Sequence, residues 1–589
     1  MSRSVSEISF APEAAPSKRT VWVIFVCAAL ILLTLLGTNA LLSGEGTMAE
    51  AVRELLAGAD IFAPGGPTFA EDFSSLWFSR VRLFPAWLLG DGEFALRVNS
   101  AVAALFLLGG VMLLAEDFFD RPVVFCAAWL LVGSYGFIYW GRYAGSSMTM
   151  TAWMIWQMIL LRRIGEPFSR WFLFFLLFFT GAAWWGMHFL LVMPGALVIA
   201  LAGNPAKILN RRVIAAPFAA LIVAVGWLTL MVWQSGTPFA DYPGRIWRQI
   251  VNVFAESWSI AVFPRGSSAK WYMGAVNLSR LLLPWTLPVL IGAAGMFANW
   301  RKLAVPHRRL LIGTLLILLL TGVFPGRRWQ YQLIQLPLFL IIGAADIAGG
   351  LGRALWRADG ERIMKWAMMV LCSLAVAVAV TPPLWTMLYP EAPSLWMMAG
   401  MPLLGMTGLA CMVFDTGPSN PVEKFCGMHG PWIGYVLAGV CFSAALFSVG
   451  IPSVTEYRSG KPFWKACRRL AADRPAGEIV MYGSSSNPVA LYYLNLPKGC
   501  TAVADPAGLT AAPEASGSGS FLLIVRRRDL PSVTEVLKEK HWRVEPEPLL
   551  GEGPSVIFSA YPAEEEHRYS LMKVVRADSR APGASGGDK

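Results

Sequence analysis

Charge is scarce in this chain: 15% of its 589 residues are Asp, Glu, Lys or Arg, while 56% are hydrophobic. A soluble protein of this length could not keep so apolar a surface in water, which excludes a wholly soluble fold. Cysteine and histidine are also few, at eight and five. They form no CxxC, no CxxCH and no His/Cys group at ligand spacing, which argues against dithiol redox, haem attachment and zinc-ribbon chemistry. No block of like charge exists either. The net charge of +11 comes from Lys and Arg set between apolar runs, not from the contiguous basic face of a nucleic-acid binder. Nor is there a two-fold internal repeat or a matched pair of interrupted helices, which makes a transporter the weaker reading.

What the chain has instead is a succession of apolar runs, each near the ~20 residues that cross a bilayer. They begin near Val21, Phe94, Val123, Met148, Trp171, Met187, Val213, Val276, Leu310, Trp329, Trp366, Met397 and Trp432, about thirteen spans. The 25 Trp and 34 Phe fit interface belts and helix packing. Ser17-Lys18-Arg19 precede the first run and no small-residue cleavage site stands out, so it reads as a retained helix.

Lys and Arg concentrate in alternate loops. With the N-terminus inside, the inner loops hold Arg162-Arg163 with Arg170, Lys207 with Arg211-Arg212, Arg301-Lys302 with Arg308-Arg309, and Arg353 through Lys365. Glu116 to Arg121 is more acidic than an inner loop should be. The odd span count puts the C-terminal residues outside, together with the long loops Ser43 to Glu93 and Gln234 to Asn277.

After Ile451-Pro452 the pattern changes. Strand-like runs at Glu478 to Tyr482 and Phe521 to Val525, and a helical stretch from Ser532 to His541, describe a small α/β layer. The expected organisation is a tail at 1–20, a membrane domain at 21–452 with the outer loop 43–93, a soluble α/β domain at 453–575, and an unstructured tail at 576–589. Ser484-Ser485-Ser486 lacks the glycines of a nucleophile elbow, and His541 and His567 have no evident partner. Cys467 and Cys500 both fall in the outer domain, where a disulfide and two buried thiols are equally open.

The first outer loop is the best place for chemistry. Met48 to Gly58 carries apolar residues on one helical face and charged residues on the other, with Gly58 as a stop, and Leu76 to Leu89 mixes Trp77, Phe78, Phe84 and Trp87 with Arg80 and Arg82. Both should lie along the membrane surface, where they could frame a lipid head group.

Gly44-Glu45-Gly46-Thr47-Met48 through Pro64 resembles the opening loop of the bacterial lipid A aminoarabinose transferases and the related dolichyl-phosphate-mannose protein mannosyltransferases. Further segments are similar in the same order: Phe94 to Val98, Gly141-Arg142-Tyr143-Ala144, Lys270-Trp271-Tyr272 with Leu283-Pro284-Trp285-Thr286, Phe324 to Tyr331 with Leu336-Pro337, and Val480 to Gly483 with Leu491 to Leu494. The resemblance implies a polytopic α-helical membrane protein with the C-type glycosyltransferase fold in a bacterial cytoplasmic membrane, its C-terminal domain periplasmic. It implies transfer of a sugar from a polyprenyl-phosphate donor to a lipid, glycan or protein acceptor; no cofactor is expected and no metal ligand is assigned. Such a displacement needs a carboxylate on the acceptor side and cations on the departing phosphate. The residues that match are Glu45 and Glu71 as acids, and Arg327, Arg328, Tyr331 and Arg142 as ligands of the donor phosphate.

The chain departs from the family pattern where acids are expected. Gly44 replaces the first Asp, Glu71-Asp72 stand in for a Glu-Lys, Ser147 replaces an Asp, and Ser267 replaces a His. A member that kept the fold and binds lipid-linked glycan without transferring it therefore stays open as the alternative. Glu45 could equally serve only the helix dipole, and Arg327 and Arg328 could snorkel.

Overall fold

The computed structural model describes residues 18–34, 36–37, 41, 43–56, 84–145, 147–163, 189–200, 244, 273–323, 332–347, 440, 461–472, 474–483, 492–494, 500–503, 505–515, 519–526, 529–546 and 569–576. The chain divides into two compact units, Met1–Thr38 with Ala51–Ile451, and Asn39–Glu50 with Pro452–Lys589.

The first unit is helical. Its described elements are α1 (Lys18–Leu33), α3 (Glu93–Glu116), α4 (Arg121–Val132), α5 (Tyr135–Gly141), α6 (Ser147–Arg162), α7 (Phe189–Ala200), α8 (Met273–Leu282), α9 (Thr286–Ala298), α10 (Val305–Val323) and α11 (Gln335–Ile347); α2 (Ser43–Leu56) runs across the division. Among the described residues α3 alone is a straight helix long and apolar enough to cross a membrane, and there are up to three such spans if two bent pairs each count as one. The runs expected from Trp171, Val213, Trp366, Met397 and, apart from Val440, Trp432 lie outside the described residues.

Two of the expected spans are bent. The run from Val123 breaks between α4 and α5 with a 57° turn, and the run from Val276 breaks between α8 and α9 with a 114° turn. The first break is Gly133-Ser134, where the Ser134 hydroxyl accepts from the Phe137 amide and caps α5. The second is Leu283-Pro284-Trp285, where proline supplies no N–H and the Leu283–Pro284 peptide is cis. The breaks meet: the Tyr135 amide donates to the Leu283 carbonyl at 2.7 Å. A Cβ on Gly133 would come within 2.7 Å of the fully buried Trp285 ring, so only glycine leaves the indole its place.

A second close approach joins α7 and α10. A Cβ on Gly195 would sit 2.5 Å from the Gly313 carbonyl oxygen, and one on Gly313 would sit 2.6 Å from that of Gly195. The helices therefore touch backbone to backbone, the usual role of small residues where lipid offers no hydrophobic drive for association.

The acidic loop from Glu116 to Arg121 has a physical reason. Asp117 accepts from Arg162 Nε at 3.1 Å and from Arg163 Nη2 at 2.9 Å, so its charge is consumed at the joint of α3 and α6. Arg162 also lies 3.9 Å from the centre of the Phe118 ring. His307 of α10 stacks on Phe119 at 4.7 Å and its Nε2 is 2.8 Å from the Phe118 carbonyl oxygen. Charge-assisted, half-buried pairs of this kind outweigh ordinary surface ion pairs.

The second unit contains a five-stranded mixed sheet in the order β2-β1-β3-β5-β4, built from β1 (Ile479–Tyr482), β2 (Thr501–Val503), β3 (Ser520–Arg526), β4 (Trp542–Pro546) and β5 (Tyr569–Arg576). β1 runs parallel to β2 and β3, and β5 pairs antiparallel with β3 and β4. β3 is central and buried from Phe521 to Val525, which is why its sequence is a continuous apolar run. Phe521, Leu523 and Val525 share a core with Val533 and Leu537 of α13 (Leu530–Glu539) and with Trp542, whose ring meets Phe521 edge-on at 5.2 Å. The tail expected to be unstructured lies, beyond Arg576, outside the described residues.

Cys467 and Cys500 are free thiols. Cys467 lies on α12 (Lys461–Ala471), and burial pushes its pKa up to about 12. At about pH 8 its thiolate fraction is then about 10⁻⁴. A maleimide is expected to leave Cys467 untouched in the folded protein and to modify it after denaturation, as read by peptide mass spectrometry. Rapid native labelling would show that α12 does not bury this thiol.

Candidate functional site

The end of α1 is where two motif residues converge. Carbonyls run short of helical donors at a helix C-terminus, and here two arginines from later segments supply some. Arg97 of α3 reaches the Leu36 carbonyl oxygen from Nη1 at 3.1 Å. Arg142, which follows α5, donates from Nη1 to the carbonyl oxygens of Ile31 and Thr34, both at 2.7 Å. Both arginines are almost fully buried, at 2% and 4% exposure. Cations also suit the negative end of a helix dipole. The structure thus gives Arg142, expected from the sequence as a donor-phosphate ligand, a share in fixing the end of α1, the point from which the chain leaves for the loop Ser43 to Glu93. Ser147, at the expected Asp position, opens α6 and is buried.

The loop itself enters the second unit at Asn39. Its helix α2 starts at Ser43, five residues before the expected Met48, so Glu45 occupies the first turn and Arg53 the last, each matched to the dipole. Glu45 is 1% exposed, so it is not a solvated surface charge. Just before the helix, the Leu41 amide donates to the Tyr493 hydroxyl at 2.8 Å, a buried bond across 452 positions of sequence. The Lys461 ammonium lies 5.8 Å from the centre of the Tyr493 ring, and Lys461 is also buried. A lysine buried at the first residue of α12, the positive end of a helix, is placed against both solvation and the dipole. The segment carrying Glu45 is therefore held by Tyr493, a residue of the Leu491 to Leu494 motif. Lys461 had no sequence signal beyond being a lysine next to a proline.

Glu71, Asp72, Arg327, Arg328, Tyr331 and the Lys270-Trp271-Tyr272 motif lie outside the described residues. Of the second surface stretch, residues 84–89 are helical, with Phe84, Trp87, Leu88 and Leu89 all more than half exposed, which suits a helix lying in an interface. Among the described residues no three of His, Cys, Asp and Glu gather as a metal site.

No family model matches the chain, and no curated protein matches its sequence. Solved structures do match in fold. A crystal structure of ArnT from Cupriavidus metallidurans bound to undecaprenyl phosphate aligns with a TM-score of 0.60 at 14% identity, covering 95% of this chain and 98% of that one. This chain has the ArnT fold. The same ArnT in its apo state aligns at 0.58 and 14% identity, over 96% of this chain and 100% of that one. The match to ArnT thus extends through both units, and ArnT is a lipid A aminoarabinose transferase, the family whose motifs the sequence resembles. AglB, an archaeal oligosaccharyltransferase from Archaeoglobus fulgidus, aligns at 0.40 and 9% identity over 88% of this chain and 70% of its own, too distant to bear on the fold.

Proposed function

We propose that this protein is a membrane glycosyltransferase that takes a sugar from a polyprenyl-phosphate donor and passes it to a lipid, glycan or protein acceptor on the outer face of the cytoplasmic membrane. The observation that carries this reading is the alignment, over 95% of the chain, with ArnT holding undecaprenyl phosphate. The ordered motifs and the buried first-turn Glu45 support it.

In the reaction an acceptor hydroxyl attacks the anomeric carbon, the bond from that carbon to the phosphate oxygen breaks, and the lipid phosphate leaves. Glu45, with Glu71 as the second acid, orients the hydroxyl and takes its proton. Arg327 and Arg328, with Tyr331, receive the charge that develops on the departing phosphate, since a guanidinium offers two parallel donors to it. Arg142 holds the end of α1. Gly44 and Ser147, where the family pattern has acids, favour one second reading, a lipid-glycan binding scaffold. Purified protein given labelled lipid-linked sugars is expected to release free polyprenyl phosphate. Binding without release would establish the scaffold instead.

The proposal requires Ser43 to Glu93 and the C-terminal residues to lie outside. Single cysteine reporters in intact cells should be labelled at position 517 and spared at position 360 by a membrane-impermeant reagent. The opposite pattern would invert the topology and remove the site from the outer face.

A further inference from the structure

The turn between α9 and α10 carries a cavity of about 480 Å³ lined by Phe297, Ala298, Asn299, Trp300, Arg301 and Lys302. None of these residues belongs to the set assigned to transfer. A short 3₁₀ helix, Trp300–Lys302, makes the turn, and the Asn299 side-chain amide closes the end of α9 by donating to the Gly295 carbonyl oxygen at 3.0 Å. Leu303 is buried in the helical core with Trp300 packed against it, while Arg301 and Lys302 stay exposed. Among the described residues neither of these two cationic side chains has a hydrogen-bond or ion-pair partner. The Phe297 and Trp300 rings stand beside them, 6.4 Å apart.

Nothing nearby in the chain neutralises this charge. From Thr286 to Val323 there is no Asp or Glu, against Arg301, Lys302, Arg308 and Arg309. The acids of the joint on which His307 stacks are answered there: Asp117 by Arg162 and Arg163, and Glu116 by Arg163 at 4.0 Å, which leaves Asp120 beside Arg121. An apolar stripe also leaves the turn along each helix. Leu287, Leu290 and Phe297 recur at helical spacing on α9, as do Val305, Ile312 and Leu319 on α10, and all six are between 39 and 62% exposed.

We propose that this cavity holds the phosphate of an anionic phospholipid of the bilayer, with the acyl chains along the two stripes. The free guanidinium and ammonium supply charge-assisted donors to the phosphate, and an indole is suited to the level of the head groups, where its ring is apolar and its N–H polar. A zwitterionic head group would bring its own cation against Arg301 and Lys302. A free phosphate would leave the rings and the stripes without a role. Topological bias accounts for cations in a loop, but not for a cavity that sets two unpartnered cations beside two aromatic rings. The inference rests on the membrane setting of the proposed function and is independent of the transfer reaction.

The test titrates full-length protein in detergent with dioleoylphosphatidylglycerol, dioleoylphosphatidylcholine and glycerol 3-phosphate, and counts the bound molecules by native mass spectrometry. Wild type is expected to hold phosphatidylglycerol about tenfold or more tighter than phosphatidylcholine, and to hold no glycerol 3-phosphate at the same concentrations. Changing Arg301 and Lys302 together to Gln should weaken phosphatidylglycerol binding by about tenfold or more, whereas Arg121→Gln, at an exposed cation of the neighbouring joint, should leave it unchanged. Equal affinity for the two lipids or full binding by the double variant would overturn the inference. An equal loss in Arg121→Gln would do the same by revealing a diffuse charge effect, and tight glycerol 3-phosphate binding by revealing a site for free phosphate esters. The double variant should also bind undecaprenyl phosphate as wild type does; a parallel loss would make the cavity part of the carrier-lipid site and overturn the proposal. Wild-type protein that holds phosphatidylglycerol but not undecaprenyl phosphate would count against the proposed function and leave this inference standing. Should the double variant fail to fold, Lys302→Gln alone supplies the comparison.

Discussion

The Glu45→Gln protein is expected to bind a polyprenyl-phosphate sugar as wild type does and to transfer it at least about 100-fold more slowly, the lower end of what a positioned general base contributes. Glutamine keeps the shape and the hydrogen-bonding reach but cannot take a proton. The competing role for Glu45, a charge in the first turn of α2, is worth about 0.3–1 kcal/mol. That would shift the melting temperature slightly and leave most protein folded, so it cannot account for a hundredfold loss. Single-turnover transfer with a binding measurement separates the two, because removal of a group used only in the transition state lowers kcat without raising Kd. Normal transfer by Glu45→Gln would return this residue to helix capping and leave the acceptor-side acid to Glu71.

Changing Arg327 and Arg328 together to Gln is expected to weaken binding of undecaprenyl phosphate by more than tenfold. One charge-assisted hydrogen bond contributes about 1.5–3 kcal/mol, and 1.4 kcal/mol is already a factor of ten. If the topology expected from the sequence holds, these arginines stand against the usual charge bias of membrane loops, and a mere anchoring role has less to recommend it. Lipid binding at wild-type strength by a folded double variant would leave them as interface anchors. The same variant should lose affinity in parallel for glycosylated and sugar-free lipid.

The sequence made parts of this molecule legible because their determinants are local. Apolar runs announced α1 and α3, and the β-branched and aromatic stretches around Ile479 and Phe521 announced β1 and β3, because spacing along one segment decides both. The bends were hidden: an apolar run reads the same whether straight or turned through 114° at Leu283 to Trp285. Arg142 was recognisable as a residue of consequence, but not its partners, which are main-chain carbonyls 108 and 111 positions away. Asp117 looked out of place until its two arginines came with it. Gln332 shows the limit most plainly. Its polarity is written in the sequence, whereas its burial belongs to the packing of other helices.

The contact between the two bends ties distant parts of the chain to a common history. Gly133 and Trp285 occupy one volume, and neighbouring Val440 closes it, at 2.9 Å from where a Gly133 Cβ would stand. A methyl gained at position 133 has to be matched by bulk lost at position 285, since interiors packed to this density do not give. An alanine at 133 is then expected to harm a chain that keeps Trp285 and to be tolerated in one whose residue 285 carries a smaller ring.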